Sequence, residues 1–177
     1  EKEQADLILF NTCCIRDNAE RRAMGNIVFT KEIKKEKPEL LVGVCGCMAQ
    51  QEGFAEKLNK RYKHVDFSFG PGEIYQLPQR LLSALEGRRE EAFQKGEDST
   101  LYEGLPMMRS SPFFAYLTVM YGCDNFCSYC IVPMVRGRER SRDLNQIVAE
   151  AQALVDDGVR EIMLLGQNVN SYGTDAG

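Results

Sequence analysis

Three times in its first half the chain runs a short apolar segment into a helical one, with a turn rich in small residues at each junction. That alternation predicts a parallel sheet with helices on its faces, because parallel neighbours need a crossover that a helix supplies. Residues 6–10, 40–44 and 65–69 are the strand-sized runs, and 15–35, 49–60 and 73–85 the helical stretches. The first helix is expected to end near Pro38, since the residue before proline avoids the helical region. The turns are Asn11-Thr12-Cys13-Cys14, Cys45-Gly46-Cys47-Met48 and Gly70-Pro71-Gly72. In a parallel sheet they share the carboxyl rim, where ligands of open α/β sheets bind, so cysteines far apart in sequence are expected to meet there.

Beyond the third helix the chain turns charged and loses periodicity from 86 to 108, as a linker would. A further strand is expected over 113–120, then a helix over 144–156 ending at Gly158, then a strand over 161–165 running into Gly166-Gln167-Asn168. This is one βαβ unit and little more, which on its own does not complete a sheet or barrel. No apolar run is long enough to span a membrane and no signal-peptide pattern opens the chain, so a cytoplasmic protein with no membrane partner is expected.

Between strand 113–120 and helix 144–156 lies Cys123-Asp124-Asn125-Phe126-Cys127-Ser128-Tyr129-Cys130, a CxxxCxxC loop. Three thiolates at this spacing suit three corners of a four-iron cluster and leave one iron open for chemistry. Structural zinc sites take four protein ligands, and a two-cluster ferredoxin run carries a fourth cysteine followed by proline. The alternatives are three core thiols or an adventitious zinc site, but the polar Asp124, Asn125 and Ser128 do not suit a buried strand or helix face. Seven cysteines without a secretion signal point to metal or redox use in a reducing compartment, not to a disulfide framework. The net charge of −4 carries no whole-chain footprint for nucleic acid. Arg136, Arg138, Arg140 and Arg142 nevertheless form a basic run directly after the loop, suited to phosphates or a carboxylate unless it is simply solvated. Cys13 and Cys47 read either as ligands on one rim or as small core residues. His64, Asp66 and Glu73 make no case for catalysis.

The cysteine spacing with Tyr129 inside it resembles the radical S-adenosylmethionine superfamily. Added to it are Asn11-Thr12-Cys13 with Ile15-Arg16, Gly46-Cys47-Met48-Ala49-Gln50, the run from Tyr121 to Pro133, Arg136-Gly137-Arg138-Glu139-Arg140-Ser141-Arg142, and Gly166-Gln167-Asn168-Val169-Asn170-Ser171-Tyr172-Gly173. Together and in this order they resemble the MiaB-type tRNA methylthiotransferases. The resemblance implies an α/β protein with a three-layer, parallel-sheet methylthiotransferase domain over 1–88, a linker over 89–110, and over 111–177 the first βαβ part of a radical S-adenosylmethionine partial barrel. It implies two [4Fe-4S] clusters facing one cavity. One sits on Cys123, Cys127 and Cys130, the other on Cys13, Cys47 and a cysteine upstream of this chain. S-adenosylmethionine is the implied cofactor, with Tyr129, Arg138, Gln167 and Asn168 as candidate contacts. A radical derived from it would take hydrogen from C2 of an isopentenylated adenine beside the tRNA anticodon, where a methylthio group is then inserted.

The implied partners are that tRNA and an electron donor such as flavodoxin or ferredoxin, with a monomeric parent. Cys14 and Cys45 are additional to the matched positions; either replaces a ligand or packs in the core, and packing is the expectation. The first N-terminal cysteine, the rest of the barrel and a C-terminal RNA-binding domain are absent from this stretch, which is expected to be inactive alone. The competing readings are a sister methylthiotransferase acting on threonylcarbamoyladenosine or on a ribosomal protein aspartate, and a non-catalytic iron-sulfur or zinc module that binds RNA.

Overall fold

The computed structural model describes residues 4–93 and 108–176, which fall into two compact units, one within residues 1–102 and one within 103–177. Both are α/β, and each contains parallel strands.

In the first unit β1 (Leu7–Thr12), β2 (Leu41–Gly46) and β3 (Phe67–Phe69) pair in parallel, in the order β1-β2-β3. Helix α1 (Asp17–Glu36) follows β1. Its first turn carries Asp17 and Glu20 and its last Lys34 and Lys35, charges that complement the helix dipole at both ends. It stops before Pro38, as expected, and buries Ile27, Thr30 and Ile33 along one stripe. Central strand β2 is buried on both faces; Val42 and Val44 are fully enclosed, as are Leu58 and Phe67. Asp66, just before β3, accepts the Val42 N–H at 2.8 Å and pairs with Lys34, which ties α1 to the sheet.

Two of the expected helices are broken. In place of one helix over 49–60 the chain forms α2 (Cys47–Gln50) and α3 (Phe54–Arg61). Gln51 is extended and Gly53 left-handed at φ 70°, a reversal that re-aims the chain so that Phe54 and Leu58 reach the core. In place of one helix over 73–85 a 3₁₀ segment spans Pro71–Gln76 before α4 (Leu77–Leu85). Pro78, without an N–H, sits in the first turn of α4, where none is needed. Residues 89–93, at the start of the stretch read as a linker, hold α5 (Arg89–Ala92) with Ala92 and Phe93 buried. The part of that stretch from 94 to 107 lies outside the described residues.

In the second unit β4 (Phe114–Thr118) pairs in parallel with β7 (Glu161–Leu165). Val119 adds one more bond, its N–H donating to the Leu165 carbonyl at 2.9 Å. The chain then changes partner: β5 (Met120–Tyr121) pairs antiparallel with β6 (Arg140–Ser141). Between these arms lies α6 (Val132–Arg136), and α7 (Leu144–Asp156) connects β6 to β7, its N-cap Asp143 accepting the Gln146 N–H. Leu117, Val119, Met120 and Ile147 form the buried cluster, with Ala151, Ile162 and Tyr172 packed against it. Among the described residues no helix is long and apolar enough to cross a membrane.

Gly43, in the middle of β2, has no room for a side chain, because a Cβ there would overlap the Phe67 ring and Leu9. Gly43→Ala is expected to lower unfolding free energy by about 1–3 kcal/mol through overpacking. A urea titration reads this as a drop in midpoint; an unchanged midpoint would contradict the packing described.

Candidate metal and cofactor site

Strand register sets the first group of thiols. Thr12 lies opposite Gly46 in the parallel ladder, so the residues that follow, Cys13 and Cys47, leave the sheet at the same level of its carboxyl rim. The Thr12 hydroxyl donates to the Cys45 carbonyl at 2.6 Å and locks the two strand ends together. Gly46 is needed here: φ is 92°, and a Cβ would strike the Thr12 backbone. Cys13 is exposed, while Cys14 and Cys47 are buried. Burial raises the Cys14 thiol above its ordinary value, a hydrogen bond from Gln51 opposes this, and Cys47, Cys13 and Glu20 all act on it electrostatically. Three cysteines therefore come together on this rim, one more than the pair singled out from sequence.

Cys45 is different. Its side chain is buried within β2 and burial alone pushes its thiol up to about 11, so it packs in the core as expected. The third rim turn closes through Glu73, whose Oε2 accepts the Gly70 N–H at 2.7 Å. Glu73 is itself buried and paired with Arg80 at 3.7 Å. His64 Nε2 donates to the Ile27 carbonyl at 3.0 Å and, mainly through burial, the ring holds its second proton less readily than usual; its role is to pack α1 against the chain leading into β3.

The second group lies on the loop between β5 and α6. Gly122 opens it with φ 73°, and a Cβ there would run into the backbone carbonyl of Arg138 on the returning arm. The Gly122 N–H donates to Gln167 Oε1 at 2.6 Å, so the turn after β7 supports the start of the loop. The Cys123 N–H reaches the Gly137 carbonyl at 3.3 Å. Next in the loop, Asp124 and Glu139 exchange hydrogen bonds: Asp124 N–H to Glu139 Oε2 at 3.2 Å, Glu139 N–H to Asp124 Oδ1 at 3.1 Å. Phe126, left-handed at φ 45°, reverses the chain between the first two cysteines. The Cys130 N–H closes a turn onto the Cys127 carbonyl at 2.9 Å. Cys123 is buried, Cys130 half-buried and Cys127 exposed.

Of the expected cofactor contacts, Tyr129 is 92% exposed on the loop. Arg138 is also exposed, its Nε 2.8 Å from Asp124 Oδ1 and its guanidinium 5.9 Å from the centre of the Phe126 ring. Gln167 has its carbonyl oxygen committed to Gly122, and Asn168 is half-buried with its backbone carbonyl closing the turn to Ser171. The arginine run is not one solvated patch. Arg142 is buried, donating to the Thr118 carbonyl at 2.5 Å and to Glu150 at 2.7 Å, so it joins the end of β4 to α7 and is removed from the candidate phosphate contacts. The sequence reading also missed Glu139. A lone acid inside a basic run, two residues beyond a glycine, was the available signal.

Three thiols on one short loop are the soft donor set that iron-sulfur clusters take. Among the described residues no three Cys, His, Asp or Glu side chains converge as a single bound ion requires. A four-iron cluster places each thiolate on a different iron, so its ligands need no common point, and the loop fits it better than it fits one zinc ion.

Comparison with known proteins agrees with this chemistry. Residues 1–70 match the family described as "Uncharacterized protein family UPF0004", and residues 117–175 match the "Radical SAM superfamily". The first match lies within the first unit and the second within the second unit. The chain is 50% identical to the tRNA-2-methylthio-N(6)-dimethylallyladenosine synthase of Clostridium tetani over 99% of its own length and 39% of that protein's. Against the proteins of the same name from Clostridium perfringens and Caldicellulosiruptor saccharolyticus it is 48% and 49% identical, over 97% and 98% of its length and 38% and 37% of theirs. It is similar to these relatives along almost its whole length and spans about two fifths of theirs.

Two outcomes check the site. In metal-free protein at pH 8, iodoacetamide is expected to alkylate Cys13 and Cys127 first and Cys45 last, because the Cys45 thiol ionises only near 11. Peptide mapping that found Cys45 as reactive as Cys127 would overturn the burial assigned to it. Gly122→Ala is expected to cost at least about 1–2 kcal/mol from the left-handed backbone alone, with the approach to Arg138 adding to it. Thermal and urea unfolding both report the loss.

Proposed function

We propose that the protein carrying this chain is a radical S-adenosylmethionine methylthiotransferase that adds a methylthio group to C2 of N6-isopentenyladenosine beside the tRNA anticodon. The observation that carries this reading is the Cys123-Cys127-Cys130 loop, held at the end of a parallel strand by a hairpin and by the turn after the neighbouring strand. Half identity to synthases of that name along almost the whole chain supports the substrate.

In this reading Cys123, Cys127 and Cys130 hold one [4Fe-4S] cluster. Cys13, Cys47 and a cysteine upstream of this stretch hold a second. A cluster held by Cys123, Cys127 and Cys130 would supply the electron for reductive cleavage of bound S-adenosylmethionine. The chain's own part is to bind and orient. Gly122 and the Asp124–Glu139 exchange hold the loop backbone, and buried Cys123 anchors its base. Exposed Tyr129 and Arg138 offer an aromatic face and a cation to cofactor or RNA. Gln167 acts through Gly122, with its amide nitrogen left to meet the cofactor, and Asn168 shapes the same turn.

The domain plan proposed with this function is a three-layer methylthiotransferase domain over 1–88, a connection over 89–110, and over 111–177 the start of a partial barrel that β4, α7 and β7 begin. tRNA and a low-potential donor such as flavodoxin or ferredoxin are the proposed partners of a monomeric, cytoplasmic parent.

Anaerobic reconstitution of the full-length protein, assayed for deoxyadenosine and for methylthiolated nucleoside in tRNA digests, tests the proposal. The wild type is expected to form both. Cys127→Ala is expected to abolish both, whereas Cys13→Ala should spare deoxyadenosine and lose the methylthio product. No deoxyadenosine from a fully loaded wild-type protein would sink the enzyme reading in favour of a non-catalytic RNA-binding module. Deoxyadenosine with methylthiolated threonylcarbamoyladenosine or ribosomal protein, and none of the expected nucleoside, would move the assignment to a sister enzyme.

A further inference from the structure

We propose that Glu139 is a positioning residue of the cysteine loop: it holds the backbone beside Cys123, and its carboxylate charge sets the reduction potential of a cluster bound there. The second half of this statement rests on the assignment of that cluster to Cys123, Cys127 and Cys130.

Glu139 sits between two arginines of the returning arm, yet it is only 9% exposed. Its Oε2 accepts the Asp124 N–H and its own N–H donates to Asp124 Oδ1, at 3.2 and 3.1 Å. This is the reciprocity of a helix capping box, carried across a hairpin, and it fixes the amide immediately after Cys123. Asp124 Oδ1 is shared with Arg138 Nε at 2.8 Å, so the aspartate has a compensating cation. Glu139 Oε1, by contrast, is buried without a hydrogen-bond partner among the described residues. An unpaired buried carboxylate oxygen is costly, and exceptions of this kind ask for a reason other than folding.

Holding the loop needs one acceptor, which a glutamine would supply equally well. What glutamine lacks is the charge. A negative charge close to an iron-sulfur cluster favours the oxidised over the reduced form and lowers the potential, the more so where little water screens it. The two roles therefore separate by substitution.

Glu139→Gln and Glu139→Ala are made in the full-length protein. Hydrogen exchange of residues 122–126 is followed by mass spectrometry in the metal-free state, and the midpoint potential is measured by spectroscopic titration after reconstitution. Glu139→Ala is expected to speed exchange of the Asp124 amide roughly tenfold to a hundredfold, the loss that follows when a charged hydrogen bond is removed. Glu139→Gln is expected to exchange like the wild type but to show a more positive midpoint. An Asp124 amide that is equally protected in Glu139→Ala, or a wild-type midpoint in Glu139→Gln, overturns the proposal. If Glu139→Ala does not fold, rapid Asp124 exchange in a folded Glu139→Gln overturns it too. A wild-type protein that takes up no cluster on this loop refutes the metal assignment instead, while exchange in the metal-free state still decides whether Glu139 holds the loop.

Discussion

Parallel strands in register end level with one another, and the first unit depends on that constraint. Thr12 opposite Gly46 means that whatever follows each strand emerges side by side, although more than thirty residues separate them. The thiols did not have to be brought together by a dedicated loop. Pairing did it, with one hydroxyl across the strand ends and one glycine where no Cβ fits. The break at Gln51 follows from the same rim. The short helix starting at Cys47 must end quickly so that the chain can drop back to bury Phe54, and the residue at the break then meets Glu20 and Cys14.

The second unit presents its cysteines by the opposite device. After Val119 the chain leaves its parallel neighbour and pairs with an antiparallel arm, so the loop is held at its base like the tip of a hairpin. Most of its supporting bonds use backbone donors: Gly122 to Gln167, Cys123 to Gly137, Asp124 to Glu139. None of these bonds uses a cysteine sulfur.

Sequence pattern located the elements that carry periodicity and turn chemistry. The three parallel strands of the first unit, the long first helix ending before Pro38, and the strand-helix-strand order around the cysteine loop all stand in the structure close to their expected limits. It missed what depends on partners distant in the chain. The β5–β6 pair has two residues a side, too few for alternation to register. Gly53 and Pro78 divide helices whose apolar spacing reads straight through them. Arg142 reads from sequence as part of a phosphate-binding or solvated run and Glu139 draws no reading of its own, because nothing local distinguishes an arginine that will find Thr118 and Glu150 from one that will stay in water. The CxxxCxxC loop was legible for the opposite reason: its chemistry lies in the spacing itself.

The burial of Arg142 also bears on how such a chain would meet a polyanion. Each cation that neutralises a phosphate releases condensed counterions, and the salt dependence of binding counts those cations. A guanidinium already shared between a carbonyl and a carboxylate, with 5% of its side chain in water, releases none. The salt slope from the Arg136-to-Arg142 run is therefore shallower than its four arginines suggest, and Arg142 spends its charge on joining strand to helix.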